Sequence, residues 1–380
     1  VRLRDLVFWL HLGVGLSAGL VVAVLSGTGV VLAFERQLTA WADGYEATPT
    51  PGARRLGVEA LLGRAREARP GAAPTAFTLL SDPREAAVVA YGRDDVLYLD
   101  PFSGSVLGPG SKTARAVFRV ATAWHRWLGA EGEGRAVGRA ITGACNMGFL
   151  VLVLTGPVLW WPAGWKRRHL EPIVLIGRGL AGRARDFNWH NVAGIWSAVP
   201  LLLVVTSAVV MSYPWANDLL YRLGGDVPPA RREDRPPGAR PGLRADGRSR
   251  RGEDLDTSGL DRLWARAETQ VPEWRVLTLR LPATGQASVT FSIDTARGAV
   301  RPDKRSQLVL DRESGGIVRW EPFSSQGRGR RLRAWIRWLH TGEALGWPGQ
   351  AVAAMASAGA ALLVWTGFSL AWRRFFPRGA

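Results

Sequence analysis

The sequence holds one cysteine, Cys145, in 380 residues. An intrachain disulfide is therefore excluded, as is any zinc or iron–sulfur site built on several thiolates. No CxxCH occurs, so a covalently attached haem is excluded too. Lysine is nearly absent (Lys112, Lys166, Lys304), and the 49 basic residues against 32 acidic ones are almost all arginine. A charge of +17 raises nucleic acid as a partner, but the basic residues are scattered and no nucleic-acid motif is present, so none is expected. No Rossmann dinucleotide unit is expected either, and any nicotinamide oxidation falls to another protein.

What is most unevenly spread is charge. Mean hydropathy is zero, yet the apolar residues lie in four blocks and the charges lie between them. Leu6 to Phe34 has His11 as its only ionisable group, and Ala140 to Trp161, Val192 to Tyr213 and Trp347 to Trp372 carry no charge. A bilayer core needs about 20 apolar residues, so four transmembrane helices are expected, at 6–34, 140–162, 187–213 and 347–372. The first run is too long for a cleavable signal. Arg2 and Arg4, the basic loop 163–186, and Arg373, Arg374 and Arg378 set the orientation. The positive-inside rule makes all three sites cytosolic and places the two long connections outside.

The chain reads as one unit written twice. Phe8-Trp9-Leu10-His11 is answered by Phe187-Asn188-Trp189-His190, Trp124-His125 by Leu339-His340, and Thr155-Gly156 by Thr366-Gly367. The fold class expected is a mainly α membrane protein, a four-helix bundle with a pseudo-two-fold repeat and two small α+β external modules. The modules are expected at 35–112 and 257–327, each a helix followed by alternating strand patterns. Amphipathic interfacial segments are expected at 113–139 and 328–346. A linker, partly disordered, is expected at 214–256, where Pro, Arg, Gly and Asp dominate.

Four of five histidines occupy matched places in this repeat. His11 and His190 open helices one and three near the cytosolic face; His125 and His340 precede helices two and four near the outer face. Ionisable groups in a membrane point to function, although a helix–helix hydrogen bond is the plainer use of any one of them. A lone metal ion would recruit a carboxylate or a third histidine, and a proton relay would want buried acids; the apolar blocks offer neither. Two imidazoles facing across a bundle suit axial ligation of non-covalent b-type haem, one haem per leaflet. Gly15 and Gly194, each four residues after a histidine, would clear a flat lane on the same helix face. Arg119, Arg126, Arg333 and Arg337 flank the outer histidines and suit haem carboxylates, or equally anionic lipid. Trp124, Trp127, Trp335 and Trp338 would wall the outer site. His169 has no repeat mate and is read as a surface residue. Met147, Met211, Met355 and Cys145 are read as packing.

Tyr98-Leu99-Asp100-Pro101-Phe102-Ser103-Gly104, followed by Val106-Leu107-Gly108, resembles the hallmark of PepSY domains, and Leu310-Asp311-Arg312-Glu313-Ser314-Gly315 resembles a second copy. Leu339-His340-Thr341-Gly342-Glu343-Ala344-Leu345-Gly346 and Trp124-His125-Arg126-Trp127-Leu128 resemble signatures of PepSY-associated transmembrane proteins. That family includes bacterial inner-membrane ferric-siderophore reductases. The resemblance implies a haem-dependent oxidoreductase of the inner membrane, with two bis-histidine haems (inner ligands His11 and His190, outer ligands His125 and His340). It also implies periplasmic modules, a ferric siderophore as electron acceptor, and a quinol or a separate cytosolic reductase as donor. The alternatives are a non-enzymatic membrane scaffold that binds a periplasmic protein such as a peptidase, and a permease for iron–siderophore or haem.

Overall fold

The computed structural model describes residues 2–49, 52–162, 164–229, 256–281, 286–296 and 301–376. Its first half runs α1 (Leu3–Leu32), α2 (Glu35–Asp43), α3 (Val58–Ala68), β1 (Ala76–Leu80), β2 (Ala87–Ala90), β3 (Val96–Leu99), β4 (Val106–Pro109), α4 (Lys112–Trp127) and α5 (Gly134–Trp160). Then come α6 (Arg167–Val174), α7 (Gly182–Ser212), α8 (Pro214–Leu223), α9 (Leu260–Gln270), β5 (Val276–Arg280), β6 (Ser288–Asp294), β7 (Arg305–Asp311), β8 (Ile317–Glu321), α10 (Arg328–Thr341) and α11 (Gly346–Phe375). The chain divides into two compact units, 1–35 with 117–226 and 332–380, and 36–116 with 227–331.

The first unit is a helix bundle. Four of its helices are long and apolar enough to cross a membrane: Leu3–Leu32, Gly134–Trp160, Gly182–Ser212 and the stretch Glu343–Phe375. α1 packs on α5 and α11, and α7 packs on the same two. Small residues permit the close approaches. A Cβ on Gly19 would sit 2.8 Å from the Phe368 ring, and one on Gly148 would sit 3.1 Å from Val14. At the centre Leu201, Ala356 and Ala360 are buried against Phe149, Val153 and Leu363.

Three boundaries differ from the pattern reading. The amphipathic segment expected over 113–139 ends at Trp127, because Leu128 and Gly129 turn left-handed (φ 54° and 77°) and no helix continues through that. The expected loop 163–186 contains α6. Its last carbonyls are taken by side chains of the neighbouring spans: Asn188 Nδ2 donates to Pro172 O and Leu175 O, Trp160 Nε1 to Ile173 O, and Trp196 Nε1 to Val174 O. The expected linker begins with α8, where Pro214 fills a first-turn position that needs no N–H; the disorder expected within it falls on 230–255, outside the described residues. Between α6 and α7, Gly177-Arg178-Gly179-Leu180-Ala181-Gly182 does have GxGxxG spacing, a match the pattern reading passed over. No strand precedes it, so it lacks the strand–turn–helix context of a dinucleotide site.

The second unit carries one antiparallel sheet of eight strands, ordered β4-β3-β2-β1-β5-β6-β7-β8. Two small sheets had been expected; β1 and β5 join them edge to edge, with Phe77 opposite Leu279 and Thr78 opposite Thr278. This covers two edges that would otherwise present unpaired backbone, and it lets Leu61, Leu62, Phe77, Leu263, Leu277 and Phe291 share one core. Above it α3 and α9 cap each other: Glu59 N donates to Asp261 Oδ1 and Asp261 N to Glu59 Oε1, both at 3.1 Å. The hallmark motifs are turn devices. Asp100 Oδ1 accepts the N–H groups of Phe102 and Ser103, Asp311 Oδ1 accepts that of Ser314, and Gly104 and Gly315 take φ 72° and 71°. Asp43 is buried beneath, bound by both Arg115 nitrogens, the Tyr98 hydroxyl and Ser111 N. Burial alone would raise its pKa, but the hydrogen bonds from Arg115, Tyr98 and Ser111 outweigh it and hold the carboxyl below its usual range. Burial, then the neighbouring Asp43, pushes Tyr98 up to about 12.

Candidate functional site

The bundle brings the four matched histidines together two by two. His11 and His190 have ring centres 6.5 Å apart, and His125 and His340 have theirs 6.1 Å apart. Rings at this separation leave room for one metal ion with a bond of about 2.0 Å to a nitrogen of each. Helix position produces the first pair, since each histidine lies eight residues after the first residue of its helix, Leu3 of α1 or Gly182 of α7. The second pair comes from the last turns of α4 and α10.

Every one of these rings is held at Nδ1. His11 Nδ1 meets Thr155 Oγ1 at 2.7 Å, His190 Nδ1 meets Thr366 Oγ1 at 2.9 Å, and His125 Nδ1 meets Thr28 Oγ1 at 2.9 Å. His340 Nδ1 meets the Val204 carbonyl at 3.0 Å and Ser207 Oγ at 3.3 Å. The hydroxyl hydrogens are already committed within their own helices: Thr155 to Val151 O, Thr366 to Leu362 O, Thr28 to Val24 O and Ser207 to Val204 O. A hydroxyl has one hydrogen to give, so each must accept, and a carbonyl can only accept. The proton therefore sits on Nδ1 in all four rings, and each Nε2 keeps its lone pair. Two such rings cannot hydrogen-bond to each other. This is the arrangement in which an outer partner fixes the tautomer of a metal-binding imidazole.

A cavity of about 540 Å³ opens around the first pair, lined by His11, His190, Gly15, Gly194, Gly156 and Gly367 among others. Gly15 and Gly194 are not demanded by helix packing. A Cβ on either would stand 3.8 Å from Leu152 or 3.7 Å from Leu363, an ordinary contact. Their missing side chains leave open space in the cavity instead. A Cβ on Gly156, Gly367 or Gly29 would stand 4.0, 3.5 or 3.7 Å from Cε1 of His11, His190 or His125, and each of these glycines comes one residue after the threonine that holds that ring.

Among the other expected site residues, Arg126 lies over the Trp127 ring at 4.8 Å, and Arg333 Nε donates to Asn217 Oδ1 at 2.8 Å. Arg337 lies 3.9 Å from Glu343 and over Trp338, while Arg119 stands on α4 six residues before His125. Thr28 and Ser207 were missed by the pattern reading. The signal was available: each follows a histidine of its own helix by 17 residues, about 26 Å along the axis, close to the span of a hydrocarbon core. So α1 and α7 each carry a ring for one pair and a hydroxyl for the other. Among the described residues no cluster of three or more His, Cys, Asp or Glu could hold a metal ion.

The family model described as the PepSY-associated TM region matches residues 8–374, nearly the whole chain. No curated protein matches it.

Proposed function

The chain belongs to the PepSY-associated TM family, and from that premise we propose that it is a b-type di-haem reductase that passes electrons across the inner membrane to ferric siderophore. The observation that carries the reading is the set of four imidazoles, two facing two, with every Nδ1 hydrogen-bonded. Each pair offers two protein donors, fewer than the three or four that a bare zinc ion takes, and no third His, Cys, Asp or Glu joins them among the described residues; two imidazoles would serve a b-type haem as its iron ligands.

Held in these places, haem iron supplies one-electron oxidation and reduction. The chain's own residues do the rest. Thr155, Thr366, Thr28 and the Val204 carbonyl keep the protons on Nδ1 and stop the rings from turning. Gly15 and Gly194 leave room for a flat body, and the apolar helix faces exclude water. On this reading the bundle has pseudo-two-fold symmetry, the α1 and α7 starts and the α11 end are cytosolic, and the eight-stranded sheet is periplasmic. His125 and His340 then serve the outer side, where Fe(III) is reduced. Reduction frees the iron because the hard oxygen donors of a siderophore suit Fe(III) better than Fe(II). The donor on this reading is a quinol or a separate cytosolic reductase.

The test is anaerobic mixing of reduced protein with ferric hydroxamate and catecholate chelates, with a colorimetric trap for Fe(II). Reoxidation of the protein with stoichiometric Fe(II), slowed by His125→Ala or His340→Ala, is expected. Reduced protein that no ferric chelate reoxidises would overturn the reading.

A further inference from the structure

The cavity around His11 and His190 has a mostly apolar lining, and besides the two imidazoles its charged and amide groups are Arg4, Asp5, Arg183, Asn191 and Arg374. The three arginines come from three helices, in the first turns of α1 and α7 and the last turn of α11. Lipid anchoring explains an arginine at the end of a spanning helix, but it does not require three of them to converge on one cavity. Two are set in place by the protein: Arg4 Nη2 donates to Leu159 O at 2.7 Å, and the Arg374 guanidinium lies over Phe8 and Trp9 at 4.8 and 5.1 Å. α1 and α7 also point their positive N-terminal ends this way. With Asp5 counted, the mouth carries a net charge of +2.

We infer that Arg4, Arg183 and Arg374 form a carboxylate-binding rim that fixes which edge of the ligand faces out. The ligand class is a flat apolar macrocycle with two carboxylates on one edge, inserted apolar edge first. This rests on the haem reading above, and it assigns the acidic edge of the inner porphyrin to the ends of α1 and α7. The arginines near the outer histidines are not needed for it.

The experiment uses full-length His340→Ala protein, which leaves the inner site as the only complete pair, and His125→Ala as a second background should the first fail to fold. Each is loaded with haem or with haem dimethyl ester, which has the same ring and iron but no acidic groups. Release to excess apomyoglobin is followed by absorbance. Charge-assisted hydrogen bonds are the stronger kind, so the diester should leave about tenfold faster than haem. In Arg4→Leu/Arg183→Leu/Arg374→Leu the two should leave at one rate, whereas Arg4→Lys/Arg183→Lys/Arg374→Lys should keep part of the difference. Equal release from protein with its arginines intact would overturn the rim, as would a difference that survives the three leucines. Protein that takes up neither porphyrin would refute the haem reading itself, and this inference with it.

Discussion

Thr366→Val changes one atom group and keeps the side-chain shape. Thr366 is completely buried, so no water can replace the lost oxygen. Its hydroxyl accepts from His190 Nδ1 at 2.9 Å while donating to Leu362 O. With valine there, the Nδ1–H is a buried donor without a partner, which costs about 1–3 kcal/mol. The ring can escape that cost by moving its proton to Nε2, but this removes the lone pair that binds metal. Either route weakens the His11–His190 site, and the expected loss of cofactor affinity is about 10–100-fold. Thr366→Ser keeps the oxygen and should stay within about twofold of the parent, by the same reasoning. The assay is cofactor release to apomyoglobin in a His340→Ala background, with the low-spin spectrum recorded before release. If valine and serine variants both release at the parental rate, the threonine does not hold the ring and the tautomer argument is wrong.

Three further outcomes are expected. Gly194→Leu should insert and purify as a single species, because a Cβ there meets Leu363 only at ordinary contact distance and Gly194 lines the cavity, yet pigment per chain should fall by about half as the rest of the side chain fills that space. Gly57→Ala would press a methyl group into the Asp261 carboxylate and break the mutual caps of α3 and α9; at about 1 kcal/mol per cap, it should lower the thermal midpoint, and an unchanged midpoint would contradict the capping assignment. Asp43 is held below the usual carboxylate range by Arg115, Tyr98 and Ser111 against the opposing effect of burial, so its stabilisation is complete above that range and is lost as pH falls through the lowered value. Acid unfolding curves of Asp43→Asn should be flatter in that window than those of the parent.

The spans were legible because charge is absent from them, and the histidines because four of the five stand at matched places in the repeat. Their pairing followed from the repeat and from alternating helix direction. Thr28 and Ser207 were less legible, since a hydroxyl satisfying its own helix is common in apolar helices and only the 17-residue spacing from a histidine of the same helix marks these two. The β1–β5 junction was hidden for a different reason: strand pattern tells which residues alternate, and partner choice between strands far apart in sequence is a tertiary matter. β4 and β8 carry no alternation to read, because Val106–Pro109 and Ile317–Glu321 lie at the sheet edges, where burial does not impose it. α6 holds two prolines' worth of contrary signal in its neighbourhood, Pro162 and Pro172, and is secured by Asn188, Trp160 and Trp196 from elsewhere.

What the four imidazoles hold decides what the protein does. The direct measurement is the absorption spectrum of protein purified after haem-replete expression, oxidised and then reduced with dithionite, alongside pyridine haemochrome quantitation. Two low-spin b-type haems per chain are expected, with one lost in His11→Ala or His190→Ala and the other lost in His125→Ala or His340→Ala. A colourless protein, or one whose haem content in all four variants is unchanged from the parent, would contradict it.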